Sequence, residues 1–215
     1  MAEIPNILID YDSQISNYPQ AEYFTILQQK NFWFADEVNV EKDIQYVLTE
    51  LDENSKHGIL ETLKLFTIYE VKIFDFWSDV VKNMFPDPEI KTMATYFSGI
   101  ELGIHRIAYN KLNKLLNLYN DEFYNSYKQS KFLVERMAFL DSYVINGTNL
   151  EKIAVLCLAE GVVLFSNFAF LMSFRANGFN LLPNVGNVIK FSAKDEDVHC
   201  KASSWLFNTL RKEML

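Results

Sequence analysis

The sequence predicts an all-α fold, a bundle of long helices, and three observations carry the prediction. Only seven glycines and five prolines interrupt the 215 residues. Apolar residues recur at spacings of three and four over long stretches, the repeat that lines one face of a helix. Glutamate and histidine also fall together twice at helical spacing, as Glu101 with His105 and Glu196 with His199, which uses two of only three histidines. A carboxylate and an imidazole spaced in this way leave the same side of a helix and reach a common point. With 49% hydrophobic residues the chain can bury a sizeable core, and its length asks for no more than one domain. Residues 1–18 read as an extended N-terminal arm and 19–215 as a single helical domain.

Turn formers and weak periodicity mark the arm. A first helix is predicted from Pro19 to Gln29, with Phe24, Ile26 and Leu27 on its apolar side. The aromatic-then-acidic stretch 31–43 reads as irregular, because Asp and Asn favour caps and turns. Residues 41–50 form a short helix. From 54 to 85, the positions Ile59, Leu60, Leu63, Phe66, Ile68, Val71, Ile73, Phe74 and Trp77 predict a long helix buried on more than one face. Pro86 ends it. Asp87 and Pro88 supply an N-cap and a first-turn proline for a helix over 89–118, and so short a connection makes the two neighbours antiparallel. A further helix is expected over 121–143, with Phe123, Tyr127, Phe132, Met137 and Leu140 as its pattern. Asn146-Gly147 is a turn, and Thr148 with Glu151 makes a capping box for a helix reaching Ala176, capped by Gly178. A loop containing Pro183 over 179–186 then leads to a last helix over 187–210.

The composition excludes several function classes. Net charge is −8 without a block of lysine and arginine, so no basic nucleic-acid footprint is present. Cys157 and Cys200 make no disulfide framework, and the first residues carry no charged-then-apolar signal, which fits a reducing, cytoplasmic setting. The longest apolar run, 153–174, is broken by Glu160, Ser166 and Asn167, so no membrane span is expected.

Two more glutamates extend the Glu/His pairs into a pattern. Glu70 lies among Ile68, Tyr69, Val71 and Ile73, and Glu160 lies inside the apolar run. An isolated carboxylate in such surroundings costs several kcal/mol unless it is paired or bound to a cation. Di-metal carboxylate bundles need one glutamate from each of two helices and a Glu/His pair from each of two others, all facing inward. Glu70, Glu101/His105, Glu160 and Glu196/His199 supply that set in the order single, pair, single, pair. Each alone has a plainer reading, a glutamate at a solvent edge or an ion pair on a solvated face; the ordered combination is what points to metal. His57, near a helix start, reads as a surface or capping residue. Glu101 and His105 are four residues apart rather than three, and a one-residue π-bulge between Gly99 and Gly103 is expected to absorb the extra position.

From Phe32-Trp33-x-x-x-Glu37-Val38 through Asp195-Glu196-x-x-His199 the chain resembles the small, radical-generating subunit of class I ribonucleotide reductase. A tyrosine four residues after the first ligand histidine, Tyr109 after His105, completes the likeness. The resemblance implies an all-α, ferritin-like helical bundle with a di-metal carboxylate site between four ligand-bearing helices. It implies Glu70, Glu101, His105, Glu160, Glu196 and His199 as ligands of two Fe ions or a Mn/Fe mixture, with O₂ as oxidant. Tyr109 becomes the residue oxidised to a stable radical, and Trp33 with Asp195 and His105 the start of the route towards the large subunit of the reductase, which reduces ribonucleotides. Leu164 and Phe168 supply a dry wall for the radical. Core packing is the plainer reading of Tyr109, Leu164 and Phe168, an aromatic staple that of Trp33, and a solvated helix residue that of Asp195. A homodimer is the usual assembly of the family.

The family continues for several helices and a docking tail beyond the last histidine, whereas sixteen residues follow His199. The expectation is a reduced or split form, or a fragment, with a second polypeptide supplying the missing helices and tail. Alternatives on the same scaffold are a ferritin-like ferroxidase or metal store, a ligand-binding oxidase, and a non-catalytic interaction remnant.

Overall fold

The computed structural model describes residues 4–176, 178 and 180–215. Among them there is no strand. The helices, numbered in chain order, are α1 (Gln20–Lys30), α2 (41–50), α3 (53–84), α4 (88–115), α5 (Asp121–Asn125), α6 (Lys131–Asn146), α7 (Asn149–Ser173) and α8 (Pro183–Glu213). Helix α3 packs on α4 and α7 on α8, while α1 lies against both α4 and α8. The start of α3 meets the end of α4 and the end of α3 meets its start, so the pair is antiparallel, as the short Pro86-Asp87-Pro88 connection requires.

Local chemistry accounts for most of the boundaries. Asp52 caps α3 by accepting from Ser55 N–H at 3.0 Å. Asp87 accepts from the backbone N–H groups of Glu89 and Ile90, with Pro88 in the first turn of α4. Thr148 and Glu151 form the expected capping box of α7. The core runs between α3, α4, α7 and α8, where Phe66, Trp77, Phe97, Leu156 and Leu206 are fully buried.

Several expectations are corrected. The helix expected over 121–143 is broken. Asn125 and Ser126 turn their side chains onto the carbonyls of Asp121 and Phe123, a 3₁₀ turn comes next over Ser126–Gln129, and Ser130 is extended before α6 begins. Within α6 Phe132 is exposed while Leu133 takes the buried place. Helix α4 ends at Leu115 rather than 118, because Asn117 adopts a left-handed conformation with φ 58°. On α1, Ile26 is exposed and Gln28 is buried.

The last helix starts at Pro183, inside the segment expected to be a loop. The first residue of that expected loop, 179, lies outside the described residues, as does part of the arm. Asp43, fully buried on α2, accepts from Val185 N–H and Asn184 Nδ2, both at 2.7 Å. A carboxylate 142 residues away in sequence thus caps the helix start. At the other end, Glu213 accepts from Ile7 N–H at 2.7 Å and Tyr18 O–H at 2.9 Å, fastening the segment before α1 to the end of α8.

By length and composition α7 is apolar enough to cross a membrane. Its inward face nonetheless carries buried Glu160 and packs along α8.

Candidate metal centre

All six expected ligand side chains converge. Glu70 comes from α3, Glu101 and His105 from α4, Glu160 from α7, and Glu196 and His199 from α8; Glu70 is 1% exposed and the others 0%. Two groups have ligand atoms within 4.8 Å of one another: Glu101, Glu160, Glu196 and His199, and Glu70, Glu101 and His105. Around His105 Nδ1 stand Glu101 Oε2 at 3.1 Å, Glu196 Oε1 at 3.2 Å and Glu70 Oε2 at 3.5 Å. Around His199 Nδ1 stand Glu101 Oε1 at 2.8 Å, and Glu160 Oε1 and Glu196 Oε2 at 3.6 Å.

The helices bend their hydrogen bonding to achieve this. A π-helical turn spans Glu101–His105, with Arg106 N–H reaching the carbonyl of Glu101. The wider turn stacks residues four apart, so the irregular spacing read in the sequence becomes a matched pair. Glu160 also lies in a π-helical turn, Ala159–Leu164, which the sequence did not announce.

The electrostatics are those of a site built for cations. Burial drives the carboxyl of Glu70 well above its usual range and that of Glu160 up to about 8. Burial also opposes ionisation of Glu101, but His105 and then His199 outweigh it and hold this carboxyl well below the usual range. Burial alone would push both imidazoles down, yet the surrounding carboxylates, Glu101 foremost, raise them. Both oxygens of Glu70 and of Glu196, one each of Glu101 and Glu160, and both ring nitrogens of His199 are buried without a hydrogen-bond partner. His199 Nδ1 and Glu101 Oε1 are close yet do not meet hydrogen-bond geometry. So many orphaned polar atoms aimed at a shared space are costly unless a cation lies among them. Four carboxylates and two neutral imidazoles balance two divalent ions, and this mixed oxygen and nitrogen donor set suits such a pair.

An outer layer of side chains orients the cluster. Asp195 Oδ2 lies 3.0 Å from His105 Nε2 and accepts from Trp33 Nε1 at 2.8 Å, and its Oδ1 accepts from Gln28 Nε2 at 2.7 Å. Trp33, Asp195 and His105 therefore form one buried hydrogen-bonded line. Trp77 Nε1 donates to Glu160 Oε1 at 2.6 Å, and Phe97 stacks on His199 at 4.2 Å between ring centroids. Tyr109, 1% exposed, donates to Ser192 Oγ at 2.9 Å and stacks on Phe66 at 4.6 Å. Burial first, then the charge of Glu70, raises its phenol well above the usual value. Phe168 stands behind Phe66 at 5.5 Å, and Leu164 is buried on the same helix. His57 is exposed, away from the cluster.

Gln28, Phe66, Trp77, Phe97 and Ser192 do not stand out as site residues in the sequence. Helical spacing was the available signal for four of them: Phe66 and Phe97 stand four residues before Glu70 and Glu101, Trp77 seven after Glu70, and Ser192 seven before His199.

The family model for the ribonucleotide reductase small chain matches residues 14–214. The chain is 28% identical over 198 residues to a protein of Invertebrate iridescent virus 3 named as a probable ribonucleoside-diphosphate reductase small subunit, covering 83% of this chain and 51% of that one. It is 27% identical over 202 residues to the ribonucleoside-diphosphate reductase small subunit of Alcelaphine herpesvirus 1, covering 87% and 62%. The chain thus spans about half to three-fifths of the length of these relatives. In fold it is similar to Streptococcus sanguinis dimanganese(II)-NrdF, with TM-score 0.80 and 18% identity over 93% of this chain and 69% of that one. The ribonucleotide reductase R2 subunit from Clostridium botulinum also has TM-score 0.80, at 15% identity over 99% and 74%. A match running through all four helices that carry the cluster makes this chain a member of the ribonucleotide reductase small-chain family.

Proposed function

We propose that the protein is the radical-generating small subunit of a ribonucleoside-diphosphate reductase, with residues 19–215 as its single ferritin-like domain and 1–18 as an arm. The observation that carries the reading is the Trp33–Asp195–His105 line running into a buried carboxylate–histidine cluster. A metal store has no use for such a line, whereas a protein that exports an oxidising equivalent needs one. Glu70, Glu101 and His105 would hold one metal ion and Glu101, Glu160, Glu196 and His199 the other. Bound there as Fe, or as Mn with Fe, the pair supplies activation of O₂ and a one-electron oxidant.

The chain's own residues do the rest. Asp195 takes the Nε2–H of His105 and so leaves Nδ1 free to face the metals. Ser192 keeps the phenolic proton of Tyr109 on a fixed partner, and Phe66 shields the ring from water. Trp33, joined to Asp195 through its indole N–H, stands at the outer end of the route to a large subunit that reduces the nucleotide. A second copy of this chain is the further partner, and a reducing cytoplasm suits its free thiols.

The test is electron paramagnetic resonance after Fe(II) and O₂ addition, repeated with Mn(II). A tyrosyl signal that disappears in Tyr109→Phe while two metals per chain remain bound is the expected outcome; an unchanged signal in that variant rejects Tyr109.

A further inference from the structure

Cys157 on α7 and Cys200 on α8 are 43 residues apart in sequence, and neither takes part in the metal centre. Their sulfurs lie 3.9 Å apart. Each Sγ is also 3.9 Å from the other residue's carbonyl oxygen. That reciprocity means the two backbones face each other directly across the thiols. Gly161 permits the approach, since a Cβ built there would stand 2.5 Å from Cys200 Sγ. Any larger residue at 161 would push that sulfur out of place. Both cysteines are partly exposed, so a small oxidant can reach them. Ser204 Oγ lies 3.0 Å from Cys157 Sγ. Hydrogen bonding from Cys200 first, and from Ser204 and Ser203 after it, brings the Cys157 thiol down to about 5, and the thiolate is the attacking form.

We propose that Cys157 and Cys200 form a reversible intramolecular disulfide that staples α7 to α8 beside Glu160 and His199, with hydrogen peroxide or an organic hydroperoxide as the oxidant. The Cys157 thiolate attacks one peroxide oxygen, the O–O bond breaks, and hydroxide leaves to be protonated to water (an alcohol when the oxidant is organic). Cys157 is then a sulfenic acid. The Cys200 sulfur attacks it, the S–O bond breaks, and the hydroxyl departs as water with the proton of Cys200. In sum, two thiols and one hydrogen peroxide give one disulfide and two waters. The sulfurs move from 3.9 Å to a bond of about 2.05 Å by side-chain rotation. Cys200 directly follows His199, and Cys157 is one turn before Glu160, so the bond fixes the spacing of two ligand-bearing segments. The inference is independent of which metals bind or whether a radical forms.

The test is intact-mass spectrometry of the full chain treated with stoichiometric hydrogen peroxide, with a chelator present so that no peroxide is spent at the metal cluster. Expected are a loss of about 2 Da, loss of both iodoacetamide-reactive thiols, a single cross-linked peptide joining Cys157 to Cys200, and full reversal by dithiothreitol. In Cys200→Ser the sulfenic acid of Cys157 persists and is trapped by dimedone. The wild-type measurement needs no variant to fold. Two thiols still alkylated after treatment, a gain of about 32 Da or more from over-oxidation, or cross-linked dimers in place of the internal bond would each overturn the proposal.

Discussion

Asp195 holds three donors at once, Gln28 and Trp33 by hydrogen bonds and His105 across 3.0 Å, and it is fully buried. Asp195→Ala leaves all three without an acceptor. Leaving several buried donors unpaired costs about 3 kcal/mol in stability. It also frees His105 to rotate, which lowers metal affinity about 10- to 100-fold. Thermal melting and Mn(II) titration measure the two losses separately. A second consequence at this scale concerns protons. Burial sets the carboxyl of Glu160 at about 8, above its ordinary 4.5, so the metal-free site carries a proton there at pH 7 that a cation must expel. Affinity should therefore weaken by about tenfold or more for each pH unit below 8, and adding Mn(II) in weak buffer should release protons. Stability depends on the same proton. A raised carboxyl stabilises the metal-free fold below 4.5 and loses that contribution as pH climbs through about 8. Metal-induced stabilisation should then be larger at pH 8 than at pH 6. The members of the cluster were legible in the sequence, because glutamate inside an apolar helix and Glu/His at helical spacing are visible without a fold. Gln28 was not, since a neutral amide on α1 acquires its meaning only from a carboxylate 167 residues away.

At the scale of the helix, the π-helical turns at Glu101–His105 and Ala159–Leu164 set the register of the cluster. The turn over Glu101–His105 inserts one residue without displacing the helix beyond it, and Gly103 lies within it, exposed, with nothing within 4 Å of a Cβ placed there. Deleting Gly103 should restore an ordinary α-helical Glu-x-x-His pair, keep Tyr109 over Phe66, and leave metal binding within a few-fold. Deleting Ala108 instead removes a residue from regular helix, and rotates Tyr109 by about 100° away from its pocket. Circular dichroism and metal titration of both variants separate these outcomes. The irregular spacing in the sequence is enough to foresee the π-helical turn at Glu101–His105. The one at Glu160 leaves no trace there, because a lone glutamate has no partner on its own helix to reveal a shift. The start of α8 is hidden for a related reason. Asp43, which caps it, belongs to another helix, and local capping residues carry no sign of such a distant acceptor. Breaks in 121–143 are masked because apolar spacing continues through residues whose side chains compete for backbone carbonyls.

Over the whole molecule, the antiparallel hairpin of α3 and α4 faces the pair α7 and α8, and the cluster's six side chains divide evenly between them. The bundle was legible at this level because apolar repeats and short connections dictate neighbours. The covering role of α1 was not, since its buried face is polar as well as apolar, with Thr25 and Gln28 inside. Glu101 belongs to both clusters, and Glu196 likewise faces both His105 and His199, so two carboxylates tie the two halves together. A first ion held there would have to displace the protons of the cluster, and a second would then meet carboxylates already deprotonated, whose charges would offset the repulsion between the two ions. Cooperative loading is the expected outcome, a coupling between sites through shared groups. Native mass spectrometry with one equivalent of Mn(II) per chain should show empty and doubly loaded protein in excess of the singly loaded form, and a statistical distribution would show that the two positions fill independently.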